Sequence, residues 1–506
     1  MALIPSLIGS GEPAETRVFA SSLRAAENES QACEGWSKEK ISCEVTGCRR
    51  LVRALQDENC PAALASDANA ALVGGKIAKL AEEGVFTFFR GADGFFFFDM
   101  HCEDENYQKA GAPGITRVLS NGDTHPENFG VMQQSNGRLV WGTNDFDQAM
   151  HTPFTWDLKR GATGFYLGCQ TEGFSHCDTV AKSWVLGYAS VFEGNGTFTN
   201  NDRFIEGASV LSETWGREIK KLFAATRAKF EAPESTEKWL GKKVNLTSMR
   251  FIESEEVVPL PRKNLKDFTE IIERYLYSGV SALAEYPNDN AFFKVLDVAN
   301  KYGSGTGSIG LDRYLILVAG RKFPRILEMK QVTESVVETY TKYDYTEAEE
   351  AQRVVNADKA GYPFSNVFYG SVSYNGKPFI IREKNKYKND IEWRDLTPNG
   401  LHHYAYATGR AQALFHTKVS CGNPECGLND IALVDSEIWA GIKSSFDSKE
   451  KSARVINDVV SFAKAETERH IRAYNKLQHI LSNATADIKK APVLLLDDDK
   501  EKLVCA

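Results

Sequence analysis

The stretch from residue 296 to residue 392 limits the fold more than any other part of the chain, because strand-like segments are gathered there. DRYLILVAG and PRILEMK have the alternating, β-branched character of strands, and VFYGSVSYNGKPFIIREKN is typical of a hairpin with Asn375-Gly376 as its turn. The flanking stretches carry helical periodicity instead, from Ala70 to Glu83 on one side and from Ser452 onwards on the other. Strands in one block and helices in others predict an α+β fold.

Length and charge narrow the class of protein. The 506 residues exceed one compact core, so we expect two or three lobes at roughly 100–200 residues each. The net charge of -8, from 60 Lys and Arg against 68 Asp and Glu, argues against a broad nucleic-acid surface, which needs a basic excess. No apolar run approaches the about 20 residues that cross a bilayer, and the start lacks the basic segment of a signal peptide. Neither a nucleic-acid partner nor a membrane is expected.

The ten cysteines are scattered without a regular spacing. In a chain of this length we expect reduced thiols, which indicates a reducing compartment and predicts a cytoplasmic protein. Cys421 and Cys426 flank GNPE in a turn-like segment, but a closed zinc site needs four ligands. A metal site or a disulfide at this pair stays open as the less favoured alternative.

The aromatic segment FTFFRGADGFFFFDM is predicted to form two short strands around a glycine turn at Gly91 to Gly94. Phe95 to Phe98 are expected to fill the core rather than line a ligand site. Further along, GRLVWGTNDFDQA predicts a strand that runs into an acidic turn, and WDLKRGATGFYLGCQ predicts the start of a helix.

The acidic residues of GDTHPEN and NDFD form the first candidate site. Asp123 and Asn128 have the Asp-x-x-x-x-Asn spacing of a kinase catalytic loop, in which the aspartate faces the acceptor and the amide oxygen faces the metal ion. A strand then delivers Asp145 and Asp147, whose hard oxygen atoms suit Mg²⁺. Each piece alone is ordinary polar-turn chemistry. Together, and followed by WDLKR, they indicate phosphoryl transfer, which needs an orienting carboxylate, metal ligands and positive charge.

The second candidate site is a glycine motif followed by a lysine. Gly305, Gly307 and Gly310, with Ser308 between them, form GxGxxG in GTGSIG, a pattern that dinucleotide-binding folds also use. A dinucleotide loop opens a helix, whereas here two strand-like segments follow and the second ends on Lys330. This is the order of a kinase small lobe, in which the glycine loop closes over the nucleotide phosphates and the lysine pairs with them. The alternative for Lys330 is a solvated lysine at a strand end.

These blocks resemble a large, mostly bacterial family that is labelled only as a domain of unknown function. GDTHPENFG, NDFDQA and PFTWDLKR carry the resemblance, together with FFRG, GTGSIG, ILEMK, FIIRE and ATGRAQALFH, over roughly residues 70–480. The first two blocks are also similar to aminoglycoside phosphotransferases and choline kinases, in which a GDxHxxN loop precedes an IDF-type metal aspartate and a later Asp-Leu.

The resemblance implies a role for each residue of the acidic blocks. Asp123 would be the catalytic base, Asn128 and Asp145 would be metal ligands, and Asp147 would be a further ligand. Asp157 would be a structural aspartate that braces the catalytic loop.

The same resemblance leaves two smaller points. His125 is implied to orient the catalytic loop. The family has an acidic residue directly after the lysine, where this chain has Gln331. Glu334 and Glu338 lie one helical turn apart in the next segment, so either is a candidate partner for Lys330.

The order of the blocks differs from that of ordinary kinases, in which the glycine loop and lysine precede the catalytic loop. We therefore predict a bilobal protein-kinase-like fold that is circularly permuted, with Lys330 facing Asp123 and Asp145 across a cleft and ATGRAQALFH beside the catalytic loop. The expected parts are a partly mobile N-terminal extension (1–65), a catalytic large-lobe segment (66–235), a helical connector (236–295), a small nucleotide-binding β lobe (296–392), helices that complete the large lobe (393–485) and a mobile tail (486–506).

The expected function is that of an ATP- and Mg²⁺-dependent kinase that phosphorylates a small molecule, because the loop resembles those of small-molecule kinases. A protein kinase and a nucleotidyltransferase are the alternatives within catalysis. A pseudokinase that binds ATP and regulates a partner is the alternative outside it, although Asp123, Asn128, Asp145 and Lys330 are all intact. The acceptor pocket is built from variable loops, so the sequence does not name the acceptor.

Overall fold

A computed structural model describes residues 47–63, 67–109, 115–135, 137–193, 213–232, 234–277, 291–302, 311–341, 347–362, 365–417, 436–490 and 492–496. These residues form a mixed α+β structure with antiparallel sheets, as the helix and strand patterns predict. None of the helices in these ranges has both the length and the apolar character needed to cross a bilayer.

The described chain starts with four consecutive helices, which are α1 Gly47–Ala63, α2 Asp67–Glu82, α3 Val85–Gly91 and α4 Asp93–Lys109. The aromatic segment forms α3 and α4, so the prediction of two short strands is wrong. Phe88, Phe89 and the run from Phe95 to Phe98 are all buried. A helix that is buried around its whole circumference shows no alternation of polar and apolar residues. The phenylalanine run therefore has the composition of a strand and the geometry of a core helix.

Two small sheets and several helices follow. β1 Arg117–Ser120 pairs with β4 Met150–Pro153, and β2 Phe129–Gln133 pairs with β3 Leu139–Thr143, both antiparallel. The next elements are α5 Phe154–Thr171, α6 Cys177–Ser190, a 3-10 helix at Thr214–Gly216, α7 Arg217–Phe230, α8 Ser235–Gly241, and a short hairpin of β5 Val244–Asn245 and β6 Arg250–Phe251.

The β2–β3 hairpin sets where the two acidic motifs lie. Phe129, the first residue of β2, is opposite Thr143, the last residue of β3. The GDTHPEN loop enters β2 and the NDFD turn leaves β3, so both motifs are at the same end of the hairpin. The backbone N–H of Asn144 donates to the carbonyl of Asn128 at 3.2 Å across this end.

A six-stranded antiparallel sheet lies in the middle of the chain. Its strands are β7 Val257–Pro259, β8 Val295–Lys301, β9 Arg313–Val318, β10 Arg325–Gln331, β11 Gly370–Tyr374 and β12 Lys377–Glu383, in the spatial order β11-β12-β10-β9-β8-β7. The turn between β11 and β12 is Asn375-Gly376, as predicted, and both residues have positive φ, which the favoured two-residue hairpin turn requires.

Two helices pack against this sheet. They are α9 Leu265–Tyr277, which follows a 3-10 helix at Arg262–Asn264, and α10 Glu347–Gly361, which follows a 3-10 helix at Glu338–Tyr340. Phe268, Ile271 and Tyr275 of α9 share a buried apolar cluster with the sheet. Residues 236–295 are therefore not a purely helical connector, since β7 is an edge strand of the sheet and Phe292 is part of the same cluster.

The last part is helical, as predicted. It contains β13 Asn389–Asp390, which extends the β2–β3 sheet, a 3-10 helix at Trp393–Asp395, α11 Pro398–His416, α12 Ser436–Lys443, α13 Lys449–Asn483, α14 Ala486–Lys490 and a 3-10 helix at Pro492–Leu496. α11 crosses α6 where Gly187 and Gly409 bring the two backbones together. A Cβ at Gly187 would lie 1.9 Å from the Tyr406 carbonyl oxygen, so only glycine permits this approach.

Both outer segments of the described chain are packed. Leu51 and Leu55 of α1 share an apolar cluster with Val493 and Leu496 of the last 3-10 helix, and the Gln56 side chain donates to the Leu496 carbonyl at 3.0 Å. The expectation of a mobile tail is therefore wrong for 492–496, and the expected extension is an ordered helix from Gly47. Residues 1–46 and 497–506 lie outside the described ranges.

The expectation of reduced thiols is also wrong. Cys169, at the end of α5, and Cys177, at the start of α6, form a disulfide. Cys48, Cys60 and Cys102 are disulfide-bonded as well, and no cysteine in the described ranges is free. The argument from cysteine usage to a reducing compartment therefore does not stand. Cys421 and Cys426 lie outside the described residues.

Candidate active site

Asp157 holds the backbone of the GDTHPEN loop. It lies in the first turn of α5 and is fully buried. Its Oδ2 accepts the backbone N–H of Asn121 at 2.7 Å, and its Oδ1 accepts that of Gly122 at 3.0 Å. The Thr124 hydroxyl donates to the Asp157 carbonyl at 2.8 Å. These contacts satisfy buried backbone donors that would otherwise carry a desolvation cost, and they are the bracing contacts expected of Asp157.

The loop approaches the acidic turn backbone to backbone. Gly122 has a φ of 82°, and a Cβ there would lie 2.2 Å from the Gln148 carbonyl oxygen. Only glycine fits such a position, which accounts for the glycine that precedes Asp123. The Asn121 side-chain amide donates to the Asp145 carbonyl and fastens the two segments together.

Helix α11 covers the other side of the loop. The Tyr404 hydroxyl donates to the Pro126 carbonyl at 2.5 Å. Gln412 Nε2 donates to Asp157 Oδ2 at 2.8 Å, and His416 Nε2 lies 3.0 Å from the same oxygen. The predicted packing of ATGRAQALFH beside the loop is confirmed, although about 290 residues separate the two along the chain.

The Asp123 carboxylate is held on both oxygens. Asn128 Nδ2 donates to Asp123 Oδ2 at 2.9 Å, and Arg160 Nη2 donates to Oδ1 at 2.9 Å. Burial opposes ionisation, but the charges and hydrogen bonds of His125 and Arg160 outweigh it and hold the pKa of Asp123 well below its usual range. The side chain is 16% exposed, so a ligand can reach this ionised carboxylate.

His125 orients this arrangement. Its Nδ1 accepts the backbone N–H of Glu127 at 3.1 Å, its Nε2 accepts from Arg90 Nε at 3.3 Å, and Nε2 lies 3.3 Å from Asp123 Oδ2. Burial lowers the pKa of His125 by more than the neighbouring Asp123 raises it. These contacts fit the orienting role expected of His125.

Arg160 and Asp93 join the site, and the sequence reading did not single them out. The Arg160 guanidinium is fully buried, pairs with both Asp93 and Asp123, and lies 3.8 Å from the ring centroid of Phe89. Burial and then the charge of Asp123 raise the pKa of Asp93 well above its usual range, while Arg160 opposes that shift. Arg160 is the last residue of the PFTWDLKR block, and Asp93 lies two residues after the FFRG block. Two adjacent basic residues in a helix, Lys159 and Arg160, have the appearance of solvent-exposed charges.

Lys330 lies at the acidic turn in contact with Asp147, and the cleft between Lys330 and Asp123 and Asp145 remains a prediction. Lys330 is on β10, its side chain is buried, and its Nζ forms an ion pair with Asp147 Oδ2 across 183 residues of sequence. Burial raises the pKa of Asp147, but the charge of Lys330, supported by Arg382 and Arg313, lowers it below its usual value.

The acid that forms an ion pair with Lys330 is Asp147 of the turn, which was not among the candidates Glu334 and Glu338. The segment after β10 is tied to the turn through Gln148, whose Oε1 accepts from the Ser335 hydroxyl at 2.8 Å. On α10, Glu350 lies 2.8 Å from Arg353 instead of reaching Lys330.

A second ion pair lies beside Lys330, and the sequence reading gave it no role. Arg382 of β12 is opposite Glu328 of β10, and its Nε and Nη2 lie 3.0 and 2.9 Å from Glu328 Oε2. Burial opposes ionisation of Glu328, but Arg382, Lys384 and Arg313 outweigh it and hold its pKa well below the usual range. The blocks ILEMK and FIIRE contain this pair, which is the available sequence signal.

The residues that could hold a divalent cation are Asn128, Asp145 and Asp147. Within the described ranges, no group of three or more His, Cys, Asp or Glu side chains has the arrangement of a metal centre. Mg²⁺ often takes only one or two carboxylates from a protein, together with waters and phosphate oxygens. Asn128 Nδ2 donates hydrogen bonds to Asp123, so the amide Oδ1 is the atom of Asn128 that could bind a metal ion. The oxygen atoms of these three side chains are of the kind that Mg²⁺ prefers.

The glycine motif cannot be placed in the same way, because Gly305, Gly307, Ser308 and Gly310 lie outside the described residues. The flanking strands β8 and β9 are neighbours and pair antiparallel, with Asn300 opposite Tyr314. β9 in turn pairs with β10, which places Lys330 opposite Arg313 near the start of β9.

The comparison with protein families covers most of the chain. A family model described as an uncharacterized protein conserved in bacteria, DUF2252, matches residues 69–479, a span that includes Asp123, Asp145 and Lys330. No curated protein and no solved structure matches the chain. By the extent of this match, the chain belongs to the DUF2252 family.

Proposed function

We propose that this protein is an ATP- and Mg²⁺-dependent phosphotransferase that acts on a small-molecule acceptor. The observation that carries the proposal is the ion pair between Lys330 and Asp147. It joins a lysine on a strand of the six-stranded sheet to an acidic turn that is fastened to the Asp123–Asn128 loop. Phosphoryl transfer needs these three elements close together.

The order of elements around Lys330 supports a kinase-like fold. The glycine motif lies between β8 and β9, Lys330 is on β10, and the helix α10 comes next. In protein kinases a glycine-rich loop covers the phosphates, the lysine is on the third strand, and a helix follows. The catalytic-loop motif precedes these elements here, so the proposed fold is a circularly permuted one. The similarity of GDTHPEN and NDFD to aminoglycoside phosphotransferases and choline kinases favours a small-molecule acceptor.

The chain's own residues divide the proposed work. Asp123 would accept a hydrogen bond from the acceptor hydroxyl and take up its proton, with Asn128 and Arg160 fixing the carboxylate. Asp145, Asp147 and the Asn128 oxygen would hold Mg²⁺, which neutralises charge on the transferring phosphate when bound. Lys330 would then turn from Asp147 to the nucleotide phosphates.

The test is ATP turnover by the full chain with and without Mg²⁺ and a metabolite extract, followed by mass analysis of the products. We expect a phosphorylated metabolite that forms only with Mg²⁺. Asp123→Asn should lower transfer about 10²–10⁴-fold, the usual cost of a lost general base, and leave ATP affinity near that of the wild type. Asp267→Asn is the matched control, because Asp267 is exposed on α9.

The outcomes separate the proposal from its rivals. Transfer by Asp123→Asn within about threefold of wild type removes Asp123 from the role of base. A product that carries a nucleotide instead of a phosphate identifies a nucleotidyltransferase. ATP binding without any product, in extracts and with protein substrates, identifies a pseudokinase.

A further inference from the structure

The cation-rich face of the six-stranded sheet extends beyond Lys330. Side chains two positions apart on a strand point to the same face, so Glu328 and Lys330 of β10 share one face. Residues directly opposite in an antiparallel pair also share a face, which places Arg313 of β9 and Arg382 of β12 beside them. ILEMK and FIIRE, which contain Glu328 and Arg382, therefore meet at the strand that carries the proposed nucleotide lysine.

Three cations surround the Glu328 carboxylate. Arg382 binds Oε2 through two nitrogens, while Arg313 Nη1 and Lys384 Nζ lie 3.7 and 3.8 Å from Oε1. Glu328 is only 6% exposed, whereas Arg382 and Lys384 are 27% and 33% exposed. A ligand that approaches this face therefore meets the cations, and the carboxylate lies behind them.

The positive charges on this face outnumber the acids that form ion pairs with them. Arg313, Lys330, Arg382 and Lys384 contribute four positive charges, Glu328 and Asp147 form ion pairs with them, and Asp358 and Asp145 add negative charge near Arg382. Partly buried like charges are unfavourable unless an opposite charge joins them. The negative charge of Asp145 stabilises the charged form of Arg382. A cation held by Asp145 and Asp147 would neutralise those carboxylates, so they would no longer balance the positive charge of Arg382. The excess positive charge then calls for a polyanion.

We propose that Arg382 and Lys330 together bind the phosphate chain of the nucleotide, with Glu328 as the positioning residue that holds the Arg382 guanidinium. The inference rests on the proposed function, since it assigns a second cation to the same nucleotide. Glu328 and Lys330 are separated by two strand residues, about 6.6 Å, so a triphosphate can contact both cations. Arginine suits this task because its planar fork binds phosphate oxygens in pairs.

The experiment is calorimetry of the full chain with ATP, AMP and inorganic tripolyphosphate. Arg382→Met should weaken ATP and tripolyphosphate about tenfold or more, the usual scale for a hydrogen bond to a charged group, and should change AMP affinity less than about twofold by the same reasoning. Arg382→Lys should restore part of the loss. Glu328→Gln should also weaken ATP, since the guanidinium loses its anchor.

Arg325→Met is the matched control. Arg325 is on the same strand, three positions before Glu328, so the two side chains point to opposite faces of the sheet. Arg325 is 45% exposed and pairs with Glu383 on that other face. Its substitution should leave ATP affinity unchanged. The double variant Glu328→Gln/Arg382→Met guards against misfolding, because removing one partner of a buried pair leaves an uncompensated charge and removing both does not.

The outcomes distinguish the two proposals. If Lys330→Met loses ATP while both Arg382 variants, folded by circular dichroism, bind ATP and tripolyphosphate like the wild type, the role of Arg382 is refuted and the proposed function survives. If the wild type binds neither ATP nor tripolyphosphate, both proposals fail. If Arg325→Met weakens ATP as much as Arg382→Met, the effect is one of general charge and the specific site is refuted.

Discussion

Replacing Asp157 by alanine tests the brace beneath the candidate catalytic loop. The change removes the acceptor of two buried backbone N–H groups, those of Asn121 and Gly122. Each orphaned buried donor costs about 1–3 kcal/mol, so the free energy of unfolding should fall by about 2–6 kcal/mol. A protein of ordinary stability has only about 5–15 kcal/mol, so the loss should be visible as a large shift of the unfolding midpoint.

Urea unfolding at neutral pH measures this loss. Asp157→Asn keeps one acceptor oxygen and should lose about half as much, while the exposed Asp267→Ala should change stability by less than about 0.5 kcal/mol. Transfer should fall as well, because a displacement of about 1 Å in a catalytic group can cost 10²-fold. A loss below about 1 kcal/mol for Asp157→Ala would mean that the loop holds its shape without the carboxylate, and the bracing argument would be refuted.

Three further predictions concern the neighbouring groups. Asp145→Ala should abolish the Mg²⁺ dependence of ATP binding; if calorimetry finds this dependence unchanged, Asp147 holds the ion in place of Asp145. Lys330→Met should weaken ATP binding or turnover, and it should also lower stability, because it leaves Asp147 without its ion-pair partner; normal turnover would also discredit the glycine motif. Burial raises the pKa of Asp358 to about 6, although the Ser365 hydroxyl donates to it. A raised folded pKa favours the protonated form, so stability should fall as pH rises from about 4 to about 6. Asp358→Asn should then gain up to about 3 kcal/mol at pH 7 relative to pH 4, and equal gains at both pH values in urea melts would exclude this cause.

The parts of the site that could be predicted from the sequence are those that a local rule describes. Asp123 and Asn128 lie within one short loop whose spacing sets their geometry, and the bracing role of Asp157 is what the family resemblance implied. The Asn375-Gly376 turn requires positive φ at both residues, and few residue types adopt it. Lys330 was found because a strand pattern ends on it.

The parts that were missed depend on contacts between distant segments. Asp93 reaches Arg160 across 67 residues, and Arg382 reaches Glu328 across 54. No spacing rule connects such positions, and a lone arginine in a helix or strand has the appearance of a solvated charge. The helices α3 and α4 were read as strands for a related reason, because burial on every side removes the periodicity that marks a helix.

The buried ends of the described chain have a consequence for how the molecule can be divided. The family match spans residues 69–479, yet α1 and the 3-10 helix Pro492–Leu496 lie outside it and pack against each other and against α2. The two segments together form one clasp over α2, and neither segment alone would cover the apolar face of that helix. A chain trimmed to the matched span would leave Val73, Ile77 and Leu80 open to water. Family members that lack one half of the clasp should lack the other or carry a different cover over α2.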